Sequence, residues 1–115
     1  CAYQELDEND KNSHHVFCKN NGTVVAVLRI YEDDSNGKIL IGRVAVHEDY
    51  RNSGIAKKMM IDSLAFIKFN FNNQMVYLSA QTYLVNFYVS LGFATNGEEF
   101  LEDGIPHIHM SKKNS

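Results

Sequence analysis

The chain has 115 residues, with 44% hydrophobic and 22% charged residues and a net charge of −3. That suits one globular domain with one core. It offers no basic, aromatic-interleaved surface for nucleic acid and no apolar run near the roughly 20 residues that a membrane-spanning helix needs. Two cysteines, Cys1 and Cys18, are too few for a secreted disulfide scaffold, so a reducing, cytoplasmic setting is expected.

The chain starts at Cys1 and enters a strand-like stretch almost at once. It reads as a single domain over 1–115, N-terminally incomplete. Residues 5–13 are polar and read as a loop. His14 to Lys19 reads as a strand, and Asn20-Asn21-Gly22 as a hairpin turn, because Asn and Gly tolerate positive φ. Thr23 to Tyr31, rich in Val and Ile, is the partner strand. A turn at 33–37 leads to a third strand, Lys38 to His47, which completes an antiparallel meander. The period then changes. Ala56, Met60, Leu64, Ile67 and Phe71 recur every three or four residues, the mark of a helix with one buried stripe. Gln74 to Ala80 returns to a strand, parallel to the third by a β-α-β crossover. Thr82 to Leu91 reads as a second helix stopped by Gly92. Phe93 to Phe100 and His107 to Lys112 read as the last strands, with 101–106 a loop between them. The fold class is therefore a mixed α/β sheet with helices on its faces.

One segment carries chemistry. Arg43-Val44-Ala45-Val46 ends the third strand, and Arg51-Asn52-Ser53-Gly54-Ile55-Ala56-Lys57 opens the first helix. First-turn amides lack intrahelical partners, and the helix dipole favours an anion beside them. Arg51, Lys57 and Lys58 stand where an isolated helix would prefer acids. Taken singly they read as solvated surface charges. Together, around a Gly-X-Ala step, they point to an anion such as the pyrophosphate of a cofactor.

Residues 51–56 fit the Arg/Gln-X-X-Gly-X-Gly/Ala signature, and the segment resembles that of the GNAT acetyltransferases. Downstream, Asn86-Phe87-Tyr88-Val89-Ser90-Leu91-Gly92-Phe93 resembles their Phe-Tyr-X-X-X-Gly-Phe helix end. The tail 102–110 and the start, Cys1 to Asp7, are similar to the ElaA-like branch of that family. The resemblance spans the whole chain. In that branch a strand and one or two helices precede the Cys-X-Tyr-Gln segment and help form the acceptor side.

The resemblance implies acetyl-CoA as co-substrate and direct attack of a primary amine, small molecule or peptide, on its thioester. Amides of Asn52 to Ala56 would hold the pyrophosphate, with Arg51 and Lys57 beside them. Backbone groups of Val44, Ala45 and Val46 would bind the pantetheine arm and thioester oxygen. Gln81 and Asn86 would contact the cofactor or cap the second helix. Tyr88 would face the sulfur as the catalytic residue. A tyrosine pKa near ~10 against ~8.5 for a thiol makes complete proton transfer uphill by roughly 2 kcal/mol, so a hydrogen bond to the thiolate is the expected help. Glu48, Glu102, Asp103 and His107 are all candidates for the base. Tyr3, Gln4 and Glu5 would line the acceptor pocket. His107 and His109 share a strand face and suit a metal pair or solvated histidines, and no metal is expected. The alternative function is a CoA-binding module without transfer. A homodimer is left open.

Overall fold

Asn21 and Gly22 take φ of 52° and 82°, the paired positive values of a tight hairpin, and join strands Ser13–Asn20 and Thr23–Asp33. The computed structural model describes residues 2–6, 13–33, 37–51, 53–71 and 74–114, with the backbone alone for 2–6. In chain order its elements are β1 (Ala2–Leu6), β2 (Ser13–Asn20), β3 (Thr23–Asp33), β4 (Lys38–Val46), α1 (Ile55–Asn70), β5 (Met75–Gln81), α2 (Val85–Ser90), β6 (Ala94–Thr95), β7 (Phe100–Glu102) and β8 (Ile105–Lys113). They form one sheet in the order β1-β2-β3-β4-β5-β8-β6, with β7 also on β8. β1 to β4 are antiparallel neighbours, β4 and β5 are parallel, and β5 and β8 are antiparallel. The expected meander and β-α-β unit are both present.

The strand registers put Val16, Leu28, Ile30, Ile41, Leu78 and Met110 on one buried face. α1 lies across β1 to β3 and α2 against β5 and β6. Met59, Met60 and Ile67 of α1, with Tyr88 and Phe93, complete a single core. The buried stripe of α1 differs slightly from the expected one. Ser63 is fully buried and its hydroxyl donates to the Met59 carbonyl at 2.8 Å, while Leu64 is only half-buried. A small, self-satisfied residue lets the helix axis sit close to the sheet.

Two expectations at the C-terminus are corrected. The strand expected over 93–100 is broken into β6 and β7. The Asn96 amide still donates to the His109 carbonyl at 2.7 Å, but Gly97 then turns with φ 102° and pairing resumes only at Phe100. Residues 101–106 are not an open loop. Asp103 and Gly104 have φ of 51° and 75°, a two-residue turn joining β7 to β8. Pro106 is tolerated because it lies beyond the end of β5 and pairs on one side only.

His14 on β2 packs against Phe66 and Phe71, with ring centroids 5.2 and 6.1 Å away, and burial lowers its pKa below 6.5. The unfolded chain therefore takes up this proton first as pH falls. The stabilisation is present above about pH 6.5 and is lost as pH drops through the folded value. His14→Phe should flatten the fall in thermal midpoint between pH 6.5 and 5, as read by circular dichroism melts. An unchanged slope would remove His14 from the acid response.

Candidate active site

β4 and β5 pair over only four positions, Lys38 to Ile41 against Met75 to Leu78. The cause lies in β4. Val27 pairs with Ala45 and Arg29 with Gly42, so Leu28 alone faces Arg43 and Val44, and Arg43 takes φ 54°. This bulge bends the strand. Past it, β4 stays with β3 and leaves β5. Among the described residues, Gly42 to Val46 therefore have no ladder partner on the β5 side. The isolated glycine inside an apolar strand was the available signal for this bulge.

The chain then turns sharply into α1. The His47 amide donates to the Val25 carbonyl at 2.7 Å, and His47 Nδ1 accepts from the Asp49 amide at 3.2 Å. Arg51 Nε donates to the Val46 carbonyl at 3.3 Å, pinning the loop to the strand end. The Ser53 hydroxyl donates to the Tyr50 carbonyl, and Asn20 Nδ2 donates to the Tyr50 hydroxyl at 2.7 Å. Gly54, with φ 84°, sits at the N-cap and accepts the first helical bond from the Lys58 amide at 3.0 Å. Among the described residues no side chain caps this terminus, and its first turn holds no acid. The first-turn amides are thus left without partners at the positive end of the helix dipole. A Cβ on Gly54 would meet no atom of the described residues beyond its chain neighbours within 4 Å, so the space in front of it is open among them.

The second half of the site follows β5. A 3-10 turn at Thr82–Leu84 leads into α2, whose end is fixed by two bonds, Gly92 amide to Val89 carbonyl at 3.0 Å and Phe93 amide to Tyr88 carbonyl at 3.1 Å. Gly92 has φ 99°. This is a Schellman ending, in which the residue after the glycine packs on the residue whose carbonyl it caps. Here those residues are Phe93 and Tyr88, ring centroids 6.0 Å apart. The Phe-Tyr-X-X-X-Gly-Phe string is therefore a device that locks the Tyr88 ring.

The two halves enclose an open cleft of about 700 Å3 at the carboxyl ends of β4 and β5, where parallel strands commonly bind ligands. Val44, Ala45 and Val46 line it, as do Arg51, Gly54, Ala56 and Lys57 of the loop and Gln81 and Tyr88 of the other half. Ser53, Ile55 and Asn86 do not line it. Ser53 is turned to the Tyr50 carbonyl, Ile55 packs on the core, and Asn86 is exposed elsewhere on α2. Asn52 lies outside the described residues, as do the side chains of Tyr3, Gln4 and Glu5. Leu84 and Phe87, which share a helix face with Tyr88, line the cleft too, as do Tyr50 and Tyr83, which the sequence did not single out. Tyr88 is 5% exposed. Burial, with a smaller effect from Tyr83, pushes its pKa above 10. Its hydroxyl takes no hydrogen-bond partner among the described residues.

A second cavity, of about 660 Å3, is lined by Gly42 and Arg43 of β4, Ser79 of β5, Glu102 of β7 and His109 of β8. Of the base candidates, only Glu102 lines either space. His107 is 8% exposed. Its Nδ1 lies 2.7 Å from the Ile105 carbonyl and its Nε2 3.3 Å from Glu102, so both nitrogens are engaged. Glu48 and Asp103 sit in exposed turns away from both spaces.

An open α/β sheet split at a parallel pair, with an uncapped helix N-terminus in the split, defines an acyl-CoA N-acyltransferase fold. The model of the acetyltransferase (GNAT) domain family matches residues 1–114, and the chain belongs to that family as an acyltransferase. Escherichia coli ElaA is 37% identical over 116 residues, covering 98% of this chain and 76% of ElaA, and its crystal structure aligns with a TM-score of 0.83. An acyl-CoA N-acyltransferase from Pseudomonas aeruginosa aligns with a TM-score of 0.81 at 34% identity, covering 87% of this chain and 68% of that one. A GNAT family acetyltransferase from Elizabethkingia anophelis, solved with acetyl-CoA bound, has the same fold at 18% identity and a TM-score of 0.73, covering 89% of this chain and 76% of that one.

Proposed function

We propose that the chain moves an acetyl group from acetyl-CoA to a primary amine by direct attack on the thioester. The observation that carries this reading is the meeting of three features in one cleft: the uncapped α1 terminus at Gly54, the unpaired backbone of β4 after its bulge, and Tyr88. Open space at the Gly54 Cβ position, with Arg51 and Lys57 beside it, fits a pyrophosphate. Bound acetyl-CoA supplies the activated acyl carbon and a thiolate leaving group. The protein holds its phosphates at the α1 amides and offers unpaired β4 amides to the carbonyl oxygen, where charge develops. Tyr88 acts as a hydrogen-bond donor. Its raised pKa makes outright proton loss harder than for a free tyrosine, so it steadies the sulfur by a hydrogen bond and keeps its own proton.

The Elizabethkingia structure, with acetyl-CoA in the same fold, supports the choice of donor. The test is calorimetric titration with acetyl-CoA, followed by thiol release with a panel of primary amines. Binding with amine-dependent thiol release is expected. Binding without release from any amine would favour a CoA-binding module, and a folded chain without affinity for acetyl-CoA would refute the reading.

A further inference from the structure

Resting on that reading, we propose that His109 takes the proton from the acceptor amine in the second cavity, and that Ser79 is the residue that positions it. His109 stands directly opposite Ser79 across β5 and β8. Its Nδ1 lies 3.0 Å from the Ser79 hydroxyl. The Phe100 ring stacks on it, centroids 4.5 Å apart and planes within 29°. Serine and phenylalanine thus fix both the tilt and the rotation of the imidazole. With Nδ1–H donating to Ser79, the Nε2 lone pair is free, and it has no partner among the described residues.

Its place in the sheet suits the task. Pairing of β4 with β5 stops at Ile41 and Leu78. Gly42, Arg43 and Ser79, the next residues on the two strands, line the cavity that holds His109. Two to three residues further on, Val44, Val46 and Gln81 line the cleft assigned to acetyl-CoA. The break in β4–β5 pairing thus leads, along both strands, from the cavity that holds His109 to the cleft assigned to acetyl-CoA. His107, two residues earlier on β8, is excluded from this role by its occupied nitrogens. The charged and titratable groups around the cavity are Lys38 and Arg43 of β4, Tyr77 of β5 and Glu102 of β7. Lys38 is held over the Tyr77 ring at 4.9 Å, and Glu102 is engaged by His107. Arg43 stays protonated and cannot serve as a base, which leaves the exposed His109 as the group able to pass a proton on to water.

The step balances as follows. The ammonium gives one proton to His109 Nε2, which releases it to solvent. The freed nitrogen pair forms the C–N bond, the C–S pair leaves on sulfur, and a second nitrogen proton ends on the thiol. The products are the acetamide, the free thiol and one proton.

The test compares benzylamine, protonated at neutral pH, with O-benzylhydroxylamine, which is neutral there and needs no base. Acetyl-CoA is the donor and thiol release is read for the full chain and for His109→Gln. His109→Gln should lower kcat/KM for benzylamine at least about a hundredfold and for O-benzylhydroxylamine less than about fivefold, with acetyl-CoA affinity unchanged. Ser79→Ala should lower kcat for benzylamine alone, leaving KM in place. Equal losses for the two amines, or none, would overturn the role of His109 while leaving the proposed function standing. Transfer to neither amine by a chain that binds acetyl-CoA would also overturn it, and a chain that does not bind acetyl-CoA would overturn both.

Discussion

Replacing Gly54 by valine lowers the affinity for acetyl-CoA at least about a hundredfold, and by asparagine nearly as much. Two effects separate in this pair. Gly54 holds φ 84°, which costs an ordinary residue roughly 1–2 kcal/mol and a β-branched one more. Asparagine tolerates that conformation far better. The Val variant should therefore melt several degrees lower, while the Asn variant should melt close to wild type. Both side chains enter the open space before the α1 terminus. Displacing a phosphate from two charge-assisted hydrogen bonds, each worth about 1.5–3 kcal/mol, gives the hundredfold figure. Calorimetry on the two variants decides it. An Asn variant that binds acetyl-CoA as tightly as wild type would remove the α1 terminus from the cofactor site.

Tyr88→Phe cuts turnover by about 10- to 150-fold while acetyl-CoA affinity changes little. That range is the worth of one hydrogen bond to a charged group, about 1.5–3 kcal/mol. The ring stays locked by Phe93 and the Gly92 ending, so the change removes the hydroxyl and little else. An independent readout comes from stability. Burial raises the Tyr88 pKa above 10, so the unfolded chain loses this proton first. The stabilisation is complete below pH 10 and is lost as pH rises through the folded value. Tyr88→Phe should therefore flatten the alkaline fall in thermal midpoint relative to wild type. Undiminished turnover would take Tyr88 out of the mechanism, whatever the melting curves show.

The loop and helix-end motifs were legible because backbone chemistry leaves a mark on residue type. Gly54 and Gly92 both hold positive φ, and the cations Arg51 and Lys57 both line the cleft. What stayed hidden depends on three-dimensional closure. The bulge at Arg43 and Val44 is a register event between two strands, and a strand read alone does not announce its partner's count. Tyr83, Leu84 and Phe87 enter the cleft only once the 3-10 turn and α2 have been brought against the end of β4. His107 and His109 looked equivalent by spacing. The β7 hairpin separates them, engaging His107 through Glu102 and leaving His109 to the cavity.

The short β4–β5 seam makes the sheet two plates riveted at four residue pairs, one plate of β1 to β4 and one of β5 to β8. Such a seam has little ladder to resist opening, so breathing of the two plates should begin there. A ligand that touches Val46 on one plate and Tyr88 on the other spans the seam as a strut. Substrate occupancy and the stiffness of the whole sheet then become one quantity, and deuterium uptake at Leu40, Ile41 and Leu78 would register a ligand that none of those residues touches.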